Sequence, residues 1–414
     1  MINTAIIGVS GFGQVHYNDL VREYQQRRIC ITGATIINQD EEKEKCDFLK
    51  SIGCRLFTDY KQMLEELRGE IDICFIPTGI AMHAPMSIAA MRAGANVYVE
   101  KPVAATVQEA AAMRDAELET GKFVAVGYQS MYQPETSKIK QYILDGGIGQ
   151  VHTLKSYGFW PRNLEYYQRN AWAGKLKCGE SWVLDSPFNN ALAHYLNLLS
   201  FYAGKSFARP AAITAVQSGL FRAREIAGPD TAWIKAMTDE AKTILFYVTH
   251  SCAERQGPVT VISGQNGIIE YDNTKTVITF KNGAVEEFAS EQGVAVRQNV
   301  MDALINKLNG GDSFICGLEI ASAQTIICNG AYESSAINPV PPEYTRSIED
   351  AKGVRMDVIP GIEEIIMKAF LENRLPDKND APWITSGEVI RMTGYSRFNG
   401  GKCSIATQAA HSVG

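Results

Sequence analysis

The chain has 414 residues, 45% of them hydrophobic and 21% charged, with 40 lysines and arginines against 46 acids and a formal net charge of −6. That length predicts two domains with an appendage and a core that needs no disulfide or metal staple, and the missing basic excess excludes a dedicated nucleic-acid binder. No apolar run reaches the roughly 18–20 residues that span a bilayer. Met1–Gly8 lack a signal-peptide pattern, and the nine cysteines are scattered without a C-x-x-C pair, so the expectation is a cytoplasmic protein with reduced thiols, no membrane partner and no metal site.

In chain order, Thr4–Gly8, Cys30–Ile37, Ile71–Ile76, Asn96–Val99 and Phe123–Val126 read as buried strands, with helical patterns such as Pro85–Ala93 and Val107–Glu119 between them. Strands alternating with helices imply βαβ units and a doubly wound parallel sheet, an α/β dinucleotide-type domain over 1–126. The pattern then changes. Val151–Trp160, Ala211–Phe221, Thr231–Met237, Thr243–His250, Val259–Ser263 and Thr276–Lys281 are strand-like without a helix between each pair, and Gln265-Asn266-Gly267 and Asn282-Gly283 supply tight turns. With helices at Ser186–Tyr202, Val296–Leu308 and Leu318–Glu333, residues 127–337 read as an α+β domain on an open, mainly antiparallel sheet. Its exposed face is the expected contact of a homo-oligomer, a dimer or tetramer. Asn338-Pro-Val-Pro-Pro-Glu, with three prolines, reads as a linker opening a last segment, 338–414, with one helix at Ile359–Glu372 and a polar tail from Asn399.

The first strand ends in Gly8-Val9-Ser10-Gly11-Phe12-Gly13, a G-x-S-x-x-G version of the dinucleotide fingerprint. Gly8 permits the turn, Gly13 lets helix approach strand, and the helix N-terminus offers a positive end to a pyrophosphate. Asn38, where the fingerprint expects an acid, can hydrogen-bond a ribose hydroxyl or cap the next helix. Gln39-Asp40-Glu41-Glu42 brings no arginine for a 2′-phosphate, so NAD is favoured, with NADP the alternative. Ligands bind beyond the carboxyl ends of parallel strands, so Pro77, Thr78 and His83 after one strand and Glu100 and Lys101 after the next should line the same crevice. Pro102 holds Lys101 extended, where its ammonium can reach a substrate oxygen.

Glu100-Lys101-Pro102, together with Ile6–Phe12, Asp72–Pro77, His83, Ala90–Gly94, Val126-Gly-Tyr-Gln129 and Gly146–Val151, resembles the Gfo/Idh/MocA family of NAD(P)-dependent oxidoreductases, which act mainly on sugars and cyclitols. The resemblance implies that Lys101 is the active-site lysine and that Gly127–Gln129 lead from the nucleotide domain to the substrate. It also implies a D/N-x-G-x-H-x-x-D helix, matched by Asn190-Ala-Leu-Ala-His194-Tyr-Leu-Asn197 with asparagines in place of both acids. Spacing puts Asn190 and His194 on one helical face, with Ser186 as N-cap, Pro187 as first residue and Asp185 just outside. A second registration uses Asp185 and Asn189. Upstream, Trp160, Arg162, Tyr167, Arg169 and Trp172 form a segment suited to stacking on sugar rings and to hydrogen-bonding hydroxyls or a carboxylate.

The expected activity is hydride transfer between NAD and a secondary alcohol of a sugar-like substrate. His194 would act as base, Lys101 as stabiliser of the oxygen and Asn190 as positioner. Two alternatives stay open: glycoside cleavage through a transient keto-sugar, and a dinucleotide-binding regulator without chemistry.

Overall fold

The computed structural model describes residues 1–403, so part of the polar tail expected from Asn399 lies outside the described residues. The chain forms two compact units, 1–133 with 293–322, and 134–292 with 323 onward.

The first unit is a six-stranded parallel sheet built from β1 (Ile2–Ile7), β2 (Ile29–Thr35), β3 (Arg55–Phe57), β4 (Ile73–Ile76), β5 (Asn96–Val99) and β6 (Val124–Val126). Their order is β3-β2-β1-β4-β5-β6, with α1 (Gly13–Gln25), α2 (Lys43–Ser51), α3 (Tyr60–Glu66), α4 (Ile80–Arg92) and α5 (Val107–Thr120) in the crossovers. β4 and β6 are buried throughout, as strands covered on both faces must be. Edge strand β3 escapes a sequence reading because only Phe57 of its three residues is buried. α4 begins already at Ile80 and keeps Pro85 inside it, earlier than the apolar pattern suggested. A reciprocal Thr106–Glu109 capping box starts α5, and Gly121 at φ +68° ends it.

The Val294–Leu308 helix follows the second-domain strands in sequence yet packs in this first unit. Charge brings it there: Arg297 pairs with buried Asp19, Gln298 donates to Glu23 (3.0 Å), and Arg28 pairs with Asp302 (2.6 Å). Just after it, Val126 N–H donates to Cys316 C=O at 2.8 Å and ties the segment to the sheet edge.

The second unit begins with α6 (Pro134–Leu144), β7 (Val151–Phe159), α7 (Leu164–Gln168) and a small hairpin of β8 (Lys177–Cys178) and β9 (Ser181–Trp182). A π-helical turn (Pro187–Ala191) leads into α8 (Ala193–Tyr202). Its large sheet then runs through β10 (Ile213–Arg222), β11 (Thr231–Thr238), β12 (Thr243–Thr249), β13 (Gln256–Gly264), β14 (Gly267–Tyr271), β15 (Lys275–Phe280) and β16 (Val285–Ala289). With the helix already described as α9, α10 (Leu318–Ser334), β17 (Ile337–Pro339), β18 (Arg346–Glu349), β19 (Arg355–Val358), α11 (Ile362–Leu371) and β20 (Ile390–Arg391) complete the described chain. The order is β16-β15-β14-β13-β7-β12-β11-β10-β17, antiparallel except for the β7–β12 and β10–β17 pairs.

Two expectations are corrected here. The proline-rich stretch is not a free linker: Ile337, Asn338 and Pro339 pair with Leu220, Phe221 and Arg222 as an edge strand, a place where proline's missing N–H costs no ladder bond. Nor is the sheet face expected as a subunit contact bare along its whole length. Ile362, Ile366, Ala369 and Phe370 of α11 pack on Phe159, Phe221, Trp233, Leu245 and Tyr247, all buried. Lys155 of β7 clamps the helix end by donating to the Phe370 carbonyl (2.6 Å) with its ammonium 4.2 Å from the Phe370 ring centre.

Lys140 of α6 plays the same part at the end of α8. It is fully buried and donates to the carbonyls of Phe201 (2.7 Å) and Gly204 (2.6 Å). Burial, with the charge of Lys242 adding to it, pushes its ammonium down to about 7. The unfolded chain therefore binds more protons at this group between about 7 and the ordinary 10.5, so stability rises with pH across that window. From pH 7 to 9 the natural protein should gain on the order of 1–2 kcal/mol over Lys140→Met in urea unfolding. Parallel pH slopes for the two proteins would contradict this.

Candidate functional site

The phosphate loop follows β1. Gly8 stands at φ +92°, and a Cβ on Gly13 would lie 2.6 Å from the Gly8 carbonyl oxygen, so this turn admits no side chain at that point. The N–H groups of Gly13, Gln14 and Val15 close onto Ser10, Gly11 and Phe12, and α1 opens without an acidic residue in its first turn. Its positive end is thus not offset by an acidic residue of the helix's own first turn. Asn38 donates to the Ser10 hydroxyl (3.1 Å) and to Glu41 (2.8 Å), which joins the end of β2 to the loop. Thr78, after β4, has a buried hydroxyl without a hydrogen-bond partner, and its methyl group is the nearest atom to Gly8's open side. Phe12 and Ile37 expose 52% and 83% of their surface around this loop, high values for large apolar residues. An orphan hydroxyl, a glycine cradle, a helix N-terminus and two bare hydrophobes fit a dinucleotide. Ile37 carried no signal in the sequence, since it reads there as the end of a buried strand.

Charge around Asn38 bears on the choice of dinucleotide. Glu41 is bound to Asn38, and Glu42 is held below the usual carboxylate range by hydrogen bonds from Lys45 (2.5 Å) and Ser10. Lys45, the cation there, is spent on Glu42 and the Val9 carbonyl (2.8 Å).

Behind Lys101, Glu100 points inward. Only 5% exposed, its carboxylate meets His16 Nε2 at 2.8 Å, accepts from Gln129 Nε2 at 3.2 Å and accepts the Lys101 backbone N–H at 3.1 Å. A Cβ at Gly127 would strike that carboxylate, so Gly127 is the space in which it sits. His83 is equally interior: Nδ1 lies 2.7 Å from the Pro102 carbonyl and Nε2 3.1 Å from that of Thr78. Burial holds its imidazole below the ordinary value. The side chains of Glu100 and His83, both expected to bind the cofactor, form a brace that holds the backbone on both sides of Lys101, and Gln129 belongs to it. His16 was missed. Its signal is position, a histidine one helical turn past Gly13.

In the second unit the expectation of one continuous helix over Ser186–Tyr202 is corrected. Ser186 does cap Asn189 N–H (3.2 Å) and Pro187 does come first, but the turn is π-helical and breaks at Leu192 before α8 begins. Asn190 and His194 thus sit in different helical segments, Asn190 in the π turn and His194, half-buried, in the first turn of α8. Asn189, from the second registration, spends its amide on the Val183 and Leu184 carbonyls.

Asp185 is the hub. Its Oδ1 accepts from Asn190 Nδ2 (2.9 Å), Oδ2 accepts from Gly174 N–H (2.6 Å), and Arg169 lies 4.0 Å away. Leu184, just before it, is a buried non-glycine residue at φ +52°, a strained conformation that aims this carboxylate.

Around it the aromatic segment packs as expected in kind and differently in detail. Arg162 lies over Trp160 and Tyr166, and Arg169 over Tyr166 and Trp172. Tyr167 places its hydroxyl 3.2 Å from Nδ1 of buried His250 and its ring beneath Arg224. Arg224, His250 and Arg255 are additions, brought in by the loops that follow β10 and β12.

Comparisons with known proteins bear on the fold. Residues 2–128 match the family GFO_IDH_MocA, described as an oxidoreductase family with an NAD-binding Rossmann fold. A dTDP-3,4-didehydro-2,6-dideoxy-alpha-D-glucose 3-reductase of Streptomyces violaceoruber is 31% identical over 117 residues, 28% of this chain and 34% of that protein. Inositol 2-dehydrogenase of Azotobacter vinelandii is 26% identical over 206 residues, 48% of this chain and 54% of that enzyme. The chain thus spans about half, or less, of the length of the curated relatives it matches. Among solved structures, the WlbA dehydrogenase from Bordetella pertussis in complex with NADH and UDP-GlcNAcA superimposes with a TM-score of 0.65 at 20% identity, over 80% of this chain and 95% of that one. That likeness is one of fold. No described helix is long and apolar enough to cross a membrane.

The acids around Asn38 should repel a 2′-phosphate. Glu41→Arg should raise affinity for NADPH by about tenfold over the natural protein, measured by nicotinamide fluorescence at low salt. Unchanged NADPH affinity would show that these acids do not face the ribose.

Proposed function

We propose, from the match of residues 2–128 to the NAD-binding Rossmann fold of the Gfo/Idh/MocA oxidoreductase family, that the protein moves hydride between NAD(H) and a secondary alcohol of a sugar or cyclitol. The observation that carries this reading is the mounting of Lys101. A lysine just beyond the carboxyl end of β5, its backbone fixed by Glu100, His16, Gln129 and His83, stands at the edge where doubly wound sheets hold ligands. Loop residues 8–13, Asn38 and Thr78 would hold the dinucleotide, whose nicotinamide supplies the hydride acceptor.

In the oxidative direction His194 takes the proton of the hydroxyl as its carbon loses hydride, leaving a ketone. Lys101 is the group proposed to donate a hydrogen bond to a substrate oxygen and stabilise its developing negative charge. Asn190, held by Asp185 through its Nδ2, orients the substrate with what its amide has left. Net stoichiometry is alcohol plus NAD to ketone, NADH and a proton.

Lys101→Ala should lower kcat by about two to four orders of magnitude while the Kd for NADH changes only a few-fold. Sugars, cyclitols and sugar acids offered with NAD, followed by nicotinamide absorbance together with sugar products, provide the assay. Full turnover in the alanine variant would remove Lys101 from the chemistry. Product formed without net NADH would point to transient oxidation instead.

A further inference from the structure

The second unit carries a row of alternating rings and guanidinium groups. Arg255 lies 4.2 Å from the Trp160 ring centre, Arg162 lies 5.6 Å from Trp160 and 4.5 Å from Tyr166, and Arg169 lies 3.8 Å from Tyr166 and 5.3 Å from Trp172. Cations held against aromatic faces are common, but they usually also find a carboxylate when partly buried. Of these three only Arg169 has an acid within reach, Asp185 at 4.0 Å, and Asp185 is already hydrogen-bonded to Gly174 and Asn190. Arg162 and Arg255 form no ion pair among the described residues, and the buried Nε of Arg162 has no hydrogen-bond acceptor.

Acids do lie nearby. Glu165, Glu349 and Asp350 line a cavity of about 580 Å³ together with Arg162 and Tyr166. Asp350 is spent elsewhere, accepting from Asn163 Nδ2 (2.7 Å) and from the N–H groups of Lys352 and Val354. His250, 2% exposed, has an Nε2 with no partner, and its imidazole is pushed well below the ordinary value by burial and then by Arg162, Arg224 and Arg169, with no acid countering them. Arg224 is neutralised by Asp230 (3.3 Å) and occupied by backbone carbonyls, and Arg169 lies 4.0 Å from Asp185, so the uncompensated charge beside His250 belongs to Arg162.

We infer that the substrate is an anionic sugar whose carboxylate or phosphate is received by Arg162, with Arg169 and Arg255 to either side. The inference rests on the sugar-oxidising reading and narrows it. A planar guanidinium fixed by ring stacking loses little freedom when it takes a planar carboxylate in two hydrogen bonds. Arg162 is then a specificity-determining residue, joined through the Tyr166 ring to Arg169 and so to Asp185 and Asn190.

The test compares glucuronate, galacturonate and glucose 1-phosphate with glucose and galactose, by kcat/KM with NAD and by calorimetric binding to the NADH-loaded protein. Expected is a preference of about tenfold or more for an anionic member over its neutral parent. Arg162→Met should bring that ratio close to one, mainly through KM, and Arg162→Lys should restore part of it. The uronates and the phosphate ester separate the two sources of charge. Should Arg162→Met fail to fold, Arg255→Met, at an exposed position, gives the same readout with a smaller loss. Oxidation of neutral parents in preference to anionic members overturns the inference and leaves the dehydrogenase reading standing, as does an anionic preference untouched in both variants. Arginine-dependent binding of an anionic sugar without any nicotinamide turnover does the reverse. Binding and turnover of neither kind overturn both.

Discussion

A buried carboxylate with its charge fully committed governs the first unit. Glu100 sits in the space Gly127 leaves open and engages His16, Gln129 and the backbone of Lys101 at once. A charge removed from water is tolerated only when its oxygens are satisfied, and here the partners come from α1, the turn after β5 and the short helix after β6. The same bonds that neutralise the cost of burying Glu100 locate the lysine next to it. Removing His16 or Gln129 would therefore be felt at residue 101 without touching it.

The second unit repeats the device in another form. Asp185 stands at the end of a strained turn, and its two oxygens gather Gly174 from one loop and Asn190 from the π-helical turn. A π turn inserted ahead of α8 costs regular hydrogen bonding, and such insertions concentrate where a side chain has to be re-aimed. Here it separates the asparagine from the histidine that a regular helix would have stacked directly above it. The arginines stacked on Tyr166 extend this polar centre outward.

Support for these centres comes from far along the chain. Residues 293–322 return to the nucleotide-type unit through ion pairs and hydrogen bonds with α1 and with Arg28 just beyond it, while α11 lays its apolar face on β7 and β10–β12. Lys140 and Lys155 finish helix ends by donating to terminal carbonyls, so two buried ammonium groups serve as caps where glycine or water would otherwise do so.

The alternation of buried strands with helices, and the glycine spacing after β1, are local patterns tied to backbone geometry, and they alone determined the parallel sheet and its phosphate loop. Glu100-Lys101-Pro102 and the Asn190–His194 spacing were legible in the same way. What no local pattern contains is who faces whom. His16 behind Glu100, His250 among the arginines, Ile37 bare at the end of its strand and a proline-rich stretch serving as an edge strand all depend on contacts between residues distant in sequence. The break at Leu192 belongs with them, because residue spacing states a period and only packing around Asp185 decides whether that period is kept. Tertiary structure made those decisions, since the cost of burying charge is met only where groups from separate elements converge.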